Sequence, residues 1–130
     1  MRKINEEARY SENMEWLVRK GEEVVIGLSD FAQKAAGQIS FIELPKVGEH
    51  FAREAVFAVA ESDKMANEIT LPIAGTIIAI NSTLPNNPKP INEDPYGAGW
   101  LVRIKPDDES AIDQMMNAED FEKYIGVFFK

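Results

Sequence analysis

Cysteine is absent from the 130 residues, and histidine occurs once, as His50. Without a thiol, the chain has no cysteine nucleophile, no thiolate metal site and no disulfide framework. A single histidine gives little basis for a Ser-His-Asp arrangement or a histidine-rich metal site, and no EF-hand spacing occurs. The residues therefore predict no catalytic group, no metal ligand and no enzyme activity of the chain's own.

Cations and long apolar runs are also scarce. Lys and Arg number 14 against 22 Asp and Glu, so the net charge is −8, which disfavours nucleic acid as a partner. No stretch approaches the roughly 18 apolar residues of a membrane span, and the opening "MRKINEEARY" lacks the apolar core of a signal peptide. We therefore expect no membrane partner, no targeting segment and a cytoplasmic location.

The composition that is present is typical of a folded protein. Hydrophobic residues make up 45% and charged residues 28% of the chain, and 130 residues suffice for one domain with its own core. We expect residues 1–130 to form that single domain.

Most of the chain has the residue pattern of β-strands. Residues 16–27, "WLVRKGEEVVIG", predict a hairpin around a glycine-centred turn. Ser29 can cap a short helix near residues 29–36, and Gly37 suits a left-handed stop. Residues 84–99 hold four prolines, which exclude regular structure for most of that length, and a strand follows from Trp100 to Pro106.

The pattern predicts a mainly β fold of about seven to nine strands, with a C-terminal helical segment at residues 108–126. The string Leu-Pro-x-x-Gly occurs twice, beginning at Leu44 and Leu71, so the segments on either side of Lys64 resemble related halves. Lys64 itself lies in the polar stretch "AESDKMANEI", between two β-like runs. The pattern therefore predicts a tight turn whose accessible amine an enzyme could acylate.

Several ordered motifs carry a family resemblance. "ESDKMAN" followed by "LPIAGTIIAIN" resembles the lipoyl-lysine hairpin of lipoyl carrier domains. "MEWLVRKGEEVVIGLSDFAQKAAGQISFIELPKVG" and "INEDPYGAGWLVRIKP" resemble the early and late signatures of the glycine cleavage system H proteins. The resemblance covers about residues 9–125.

This resemblance implies a barrel-sandwich hybrid fold, like that of lipoyl domains, with lipoic acid in amide linkage on Lys64. It implies a carrier that accepts an aminomethyl group from a pyridoxal-phosphate-dependent glycine decarboxylase and delivers it to an aminomethyltransferase. Dihydrolipoyl dehydrogenase would reoxidise the arm, and a lipoate ligase or a lipoyl/octanoyltransferase would attach it.

The same resemblance implies roles for other residues. Glu15 and Glu68 are the expected binding groups for an arm that carries a primary amine, since a carboxylate stabilises an ammonium. Glu61, Asp63 and Met65 flank Lys64 and are expected to be recognised by partner enzymes.

Some positions depart from the family pattern. Biotin carriers have methionine on both sides of the lysine, whereas Asp63 precedes Lys64 here, which favours lipoate. H proteins more often show Val-Lys-Ala, and Met14 stands where histidine is usual. The alternatives are an H-like lipoyl carrier of another pathway, such as sulfur oxidation or lipoate relay, and an unlipoylated binding module.

Overall fold

We describe a computed structural model of the chain over residues 4–128, apart from the side chain of Phe128. Three α-helices occur in this range, α1 at Asp30–Ala36, α2 at Lys89–Glu93 and α3 at Ala118–Phe128, with a 3-10 helix at Glu109–Gln114. The nine strands are β1 (Arg9–Tyr10), β2 (Glu15–Lys20), β3 (Glu23–Leu28), β4 (Ile39–Glu43), β5 (His50–Phe51), β6 (Val56–Ser62), β7 (Ala66–Thr70), β8 (Gly75–Ile80) and β9 (Val102–Pro106).

The strands form two antiparallel sheets. The larger sheet has the order β1-β2-β3-β9-β8-β5, and the smaller has the order β4-β6-β7. This arrangement confirms the predicted mainly β fold, with helices that are short apart from the C-terminal one. None of the helices in residues 4–128 is long and apolar enough to cross a membrane.

The main core lies between the two sheets. Successive side chains of a strand point to opposite faces, and alternate residues of β9 are accordingly buried. The larger sheet contributes Leu17, Ile26 and Ile104, and the smaller contributes Ile42 and Ile69, all of which are buried. Burying side chains of this size stabilises a fold by about 1.5–3 kcal/mol each, so the two faces hold the sheets together.

The two Leu-Pro-x-x-Gly strings occupy matching places in this sandwich. The first follows β4 and the second follows β7, so each leaves a strand of the smaller sheet. Each then leads into a strand of the larger sheet, β5 or β8, and these two strands pair antiparallel. The predicted relation between the halves is thus visible in the topology, with the β6–β7 turn between them.

The early hairpin and helix occur where the sequence predicts them. The β2–β3 register runs from Glu15 opposite Leu28 to Lys20 opposite Glu23. The Ser29 side chain caps α1 by accepting a hydrogen bond from the Ala32 amide at 3.1 Å. The helix ends at Gly37, where φ is +89° as predicted but ψ is −171°, so this residue lies outside the left-handed helical region that the sequence predicted.

The proline-rich stretch 84–99 is more regular than its composition indicates. It contains α2, in which Pro90 lies in the first turn, where its missing N–H has no helical partner to lose. From α2 the Asn92 amide nitrogen donates to the carbonyl oxygen of Gly37 at 2.9 Å, and its oxygen accepts from the Ile39 amide at 2.8 Å. The stretch therefore fixes the segment that joins α1 to β4.

The C-terminal helical segment consists of two pieces, a 3-10 helix and α3. Asp108 caps the 3-10 helix by accepting from the Ser110 amide at 2.9 Å. Helix α3 packs on the outer face of the larger sheet, where Phe121 stacks on Tyr10 with ring centroids 4.3 Å apart. A second, smaller apolar cluster therefore covers this face.

Candidate functional site

Lys64 lies at the tip of the β6–β7 hairpin. The Ser62 amide donates to the Met65 carbonyl at 2.9 Å, which closes the turn. The Ser62 hydroxyl also accepts hydrogen bonds from the amides of Lys64 and Met65, at 3.2 and 3.4 Å. The backbone of the turn is thus held in place, while the Lys64 side chain is exposed.

The Lys64 side chain extends toward the carboxyl end of α1. A methyl group built on Gly37 would lie 3.8 Å from the Lys64 Cδ atom and 3.9 Å from its Cε atom. These distances are ordinary van der Waals contacts, so the methylene groups of the lysine lie close to Gly37. The side chain therefore runs from the hairpin tip toward the helix.

A groove of about 510 Å³ lies between α1 and β7. We call it the α1–β7 groove, and its lining residues are Asn13, Met14, Glu15, Leu28, Ala32, Ala35, Ala36, Met65, Asn67, Glu68, Ile69 and Thr70. Met65 lies beside the hairpin tip, and Thr70 ends β7 five residues later. At about 3.3 Å per residue, the strand separates these two positions by roughly 16 Å.

Glu15 lies at the end of the groove that is remote from Lys64. Its side chain is 2% exposed, and each carboxyl oxygen accepts a hydrogen bond. The Ser11 hydroxyl donates to Oε1 at 2.5 Å, and the Thr70 hydroxyl donates to Oε2 at 3.5 Å. Asn13 in turn donates to the Thr70 hydroxyl at 2.9 Å, so the carboxyl group is positioned by neighbours on both β1–β2 and β7.

Burial changes the acidity of this group. The loss of solvation raises the pKa of the Glu15 carboxyl from 4.5 to about 7, although the hydrogen bonds from Ser11 and Thr70 oppose the rise. A cation that entered the groove would favour the ionised form and lower this pKa again. Glu15 can therefore gain or lose its proton near neutral pH according to what lies beside it.

The structure brings together some of the residues singled out from the sequence. Glu15, Glu68 and Met65 line the same groove. Glu61 and Asp63 do not line it: both are exposed, Glu61 on β6 opposite Ala66 and Asp63 in the turn. These two carboxylates therefore face solvent beside Lys64.

Other residues of the site were not identified from the sequence. Ala32, Ala35 and Ala36 form the helical wall of the groove, and their spacing of three and four residues was a signal that they share one face. Ser11, Thr70 and Asn92 gave no comparable signal, because their partners are distant in sequence or depend on the turn geometry.

The structure is a two-sheet sandwich with an exposed lysine at a fixed hairpin tip. A groove with a buried carboxyl group lies beside this tip. These features define a carrier type of protein. Such a protein presents a side chain to separate enzymes. The comparisons with known proteins give the particular family.

The family model described as "Glycine cleavage H-protein" matches residues 8–127. The glycine cleavage system H protein of Anoxybacillus flavithermus is 41% identical over 122 residues, which are 94% of this chain and 96% of the relative. That of Halothermothrix orenii is 38% identical over 122 residues, 94% of this chain and 95% of the relative. The crystal structure of a glycine cleavage system H protein from Mycobacterium marinum is similar with a TM-score of 0.82 and 29% identity, over 95% of this chain and 98% of that chain.

The chain belongs to the glycine cleavage H-protein family. Members of this family are lipoyl carriers of the glycine cleavage system and are not catalysts. The family resemblance stated from the motifs is thereby confirmed, and with it the function of a carrier in glycine cleavage.

Proposed function

We propose that Lys64 is the lipoyl attachment site of this carrier and that residues 1–130 act as one carrier domain. The observation that carries this proposal is the position of Lys64, which is exposed on a fixed turn with its side chain close to Gly37 at the end of α1, next to Ala36 and Met65 of the groove. Lipoate, once attached, supplies a disulfide on a long arm that accepts the aminomethyl group. The partners are glycine decarboxylase, aminomethyltransferase and dihydrolipoyl dehydrogenase, with a lipoate ligase or a lipoyl/octanoyltransferase as the attaching enzyme.

The chemistry of the α1–β7 groove fits such an arm. The three alanines of α1 offer a shallow apolar wall for a methylene chain. At the remote end, the Glu15 carboxyl group can pair with a protonated amine, and Glu68 adds a second carboxylate on the β7 side. These residues therefore bind and orient the cationic end of the loaded arm.

The turn presents a distinct recognition surface to the partners. Glu61, Asp63 and Met65 are all exposed next to Lys64. Neither carboxylate forms an ion pair with another described residue. A partner surface with cations around an apolar patch would complement this turn. We propose that these three residues determine which enzymes dock at the hairpin tip.

Intact mass spectrometry tests the attachment site. The wild-type chain and Lys64→Arg are each produced in a cell that lipoylates proteins, and Lys20→Arg serves as the control because Lys20 is also exposed at a hairpin end. We expect the mass of one lipoyl group on the wild type and on Lys20→Arg, and none on Lys64→Arg. A lipoyl mass on Lys64→Arg would assign the attachment to another residue.

A further inference from the structure

Met65 is the most exposed of the methionines that the structure describes. The chain has five methionines, and four of them lie within residues 4–128. Met65 is 52% exposed, whereas Met14, Met115 and Met116 are half-buried. Met14 and Met116 pack against the apolar cluster on the outer face of the larger sheet, and Met115 packs against the main core. Met65 is part of neither cluster, so its thioether has the least protection from solvent among the four.

A thioether is the group of this chain that a peroxide oxidises most readily. Cysteine is absent, so no thiol competes for the oxidant. The methionine sulfur attacks one oxygen of hydrogen peroxide, the O–O bond breaks, and a sulfoxide and a water molecule form. The sulfur loses two electrons and the peroxide gains them, so no further reactant is needed. We therefore expect Met65 to be oxidised before the three half-buried methionines.

Met65 directly follows Lys64 in the hairpin turn, and its backbone helps to form that turn. Its carbonyl oxygen accepts a hydrogen bond from the Ser62 amide at 2.9 Å, and its amide donates to the Ser62 hydroxyl at 3.4 Å. The Met65 thioether takes no part in these hydrogen bonds. Oxidation of the side chain therefore changes the surface of the turn and leaves the hydrogen bonds that form the turn in place.

The sulfoxide would change the one apolar side chain of this turn. Between residues 61 and 65, every side chain except that of Met65 is polar, so Met65 is the apolar part of the recognition surface that it forms with Glu61 and Asp63. A sulfoxide is polar, and enclosing it in an interface without a hydrogen-bond donor costs free energy. An enzyme that encloses Lys64 also covers the next residue, so the oxidised turn is a poorer substrate.

We propose that Met65 is a reversible oxidation site and that its sulfoxide slows the attachment of lipoate to Lys64. This inference rests on the proposed function, which makes Lys64 the attachment site. The modifying reagent is a peroxide, and methionine sulfoxide reductases reverse the change. In the reverse reaction a dithiol becomes a disulfide, and the sulfoxide oxygen leaves as water. Lipoylation of the carrier thereby responds to oxidants around it.

Peptide mass spectrometry tests the selectivity of the oxidation. The chain with unmodified Lys64 is treated with dilute hydrogen peroxide, and the oxidation rate of each methionine is measured. We expect Met65 to be oxidised at least about fivefold faster than Met14, Met115 and Met116, because susceptibility follows exposure. Oxidation of any of these three at the rate of Met65 or above would overturn the proposal.

A lipoylation assay tests the consequence for Lys64. Protein with oxidised Met65 and untreated protein are each incubated with lipoate, ATP and a purified lipoate ligase, and the gain of lipoyl mass is followed with time. We expect oxidation to slow lipoylation by about fivefold or more. Treatment with dithiothreitol and both methionine sulfoxide reductases, one for each epimer of the sulfoxide, should restore the untreated rate. Equal rates before and after oxidation would overturn the proposal.

Variants separate Met65 from the other methionines. The lipoylation rate of Met65→Leu should be the same before and after peroxide treatment, because leucine has no sulfur. Met115→Leu is the matched control: it retains Met65, so peroxide should slow its lipoylation as in the wild type. Met65→Gln, which places a polar amide at this position, should be lipoylated more slowly than Met65→Leu without any peroxide. A peroxide effect that persists in Met65→Leu would contradict the role of Met65.

Further outcomes distinguish this inference from the proposed function. Thermal unfolding should give the same midpoint for oxidised and untreated protein, and a lower midpoint after oxidation would attribute the slower lipoylation to unfolding and overturn the inference. Absence of lipoylation in untreated protein, or a lipoyl mass on a residue other than Lys64, would overturn the proposed function. Lipoylation of Lys64 at equal rates with and without oxidation of Met65 would overturn this inference alone.

Discussion

Two hairpin tips of this protein each present an exposed lysine, and only one of them adjoins the α1–β7 groove. Lys20 ends β2 opposite Glu23, beside a turn that contains Gly21. It lines a cavity on the outer face of the larger sheet, in which Trp100 and Arg103 also lie and the carboxylate of Glu7 is exposed. Lys64 instead adjoins a groove that leads to a carboxyl group with 2% exposure.

Exposure at a hairpin tip therefore does not by itself define a carrier site. A solvated carboxylate such as Glu7 loses favourable contacts with water when it pairs with a cation. The ion pair therefore contributes little free energy. A buried carboxyl group that is neutral or poorly solvated gains more from a cation. The surroundings of each lysine, and not the lysine alone, distinguish the two tips.

The largest expected effect is on glycine cleavage itself. Lys64→Arg should abolish the exchange of labelled bicarbonate into glycine with glycine decarboxylase, because an arginine cannot form the amide link to lipoate. Lys20→Arg should retain the wild-type rate. The exchange assay measures this with purified proteins that have been incubated with lipoate, ATP and a lipoate ligase. Undiminished exchange by Lys64→Arg would contradict the difference between the two hairpin tips.

Glu15→Gln should change how stability depends on pH. The pKa of Glu15 is raised to about 7 in the folded state from an ordinary 4.5, so its folded form favours the proton. Its contribution to stability is complete below pH 4.5 and is lost as the pH rises through 7, which amounts to at most about 3 kcal/mol. Glu15→Gln has no ionisable group at this position, so its stability does not fall in this way as the pH rises.

Urea unfolding at pH 4.5 and pH 8 measures the effect of Glu15→Gln. The variant should match the wild type within about 1 kcal/mol at the lower pH and exceed it at the higher pH. Glu68→Gln is the control, because Glu68 lines the same groove but is exposed. A difference between Glu15→Gln and wild type that stays constant from pH 4.5 to pH 8 would contradict the raised pKa.

A smaller effect compares the glycines near each tip. Gly21 has φ of +64° and Gly37 has φ of +89°, and ψ of −171° at Gly37 lies outside the left-handed helical region that asparagine tolerates. Gly37→Asn should therefore lower the free energy of unfolding by about 1–3 kcal/mol, whereas Gly21→Asn should cost under about 1 kcal/mol. Chemical denaturation measures the free energy of unfolding of both variants. Equal decreases would show that the two turns are equally strained.

The smallest expected effect concerns the turn hydroxyl. Ser62→Ala removes the acceptor for the amides of Lys64 and Met65, which should cost about 0.5–1.5 kcal/mol and loosen the presentation of Lys64. Ser110→Ala is the control, since the exposed Ser110 hydroxyl donates to the Asp108 side chain at 2.7 Å in the 3-10 helix, away from the turn. The rate of lipoylation by a purified ligase should fall only in Ser62→Ala, and equal rates in both variants would contradict a role for the hydroxyl.

The local elements were accessible from the sequence because short-range physics determines them. The β2–β3 hairpin, the Ser29 cap of α1 and the turn that contains Lys64 each depend on residues within a few positions. The order within the larger sheet was not accessible, since β9 pairs with both β3 and β8 across long separations. Helix α2 was also not predicted. The four prolines of residues 84–99 indicate irregular structure, and composition does not show that Pro90 lies in the first turn of a helix, where proline is tolerated.

What the sequence determined by itself is the lysine and its turn: a polar break between two β-like runs, in halves related by a repeated string. The tertiary structure decided the groove beside that turn. It placed the alanines of α1 opposite β7, and it buried Glu15 against Ser11 and Thr70. Solvation is the physical reason, because burial is the main cause of the raised pKa of Glu15, and parts of the chain that are distant in sequence provide that burial.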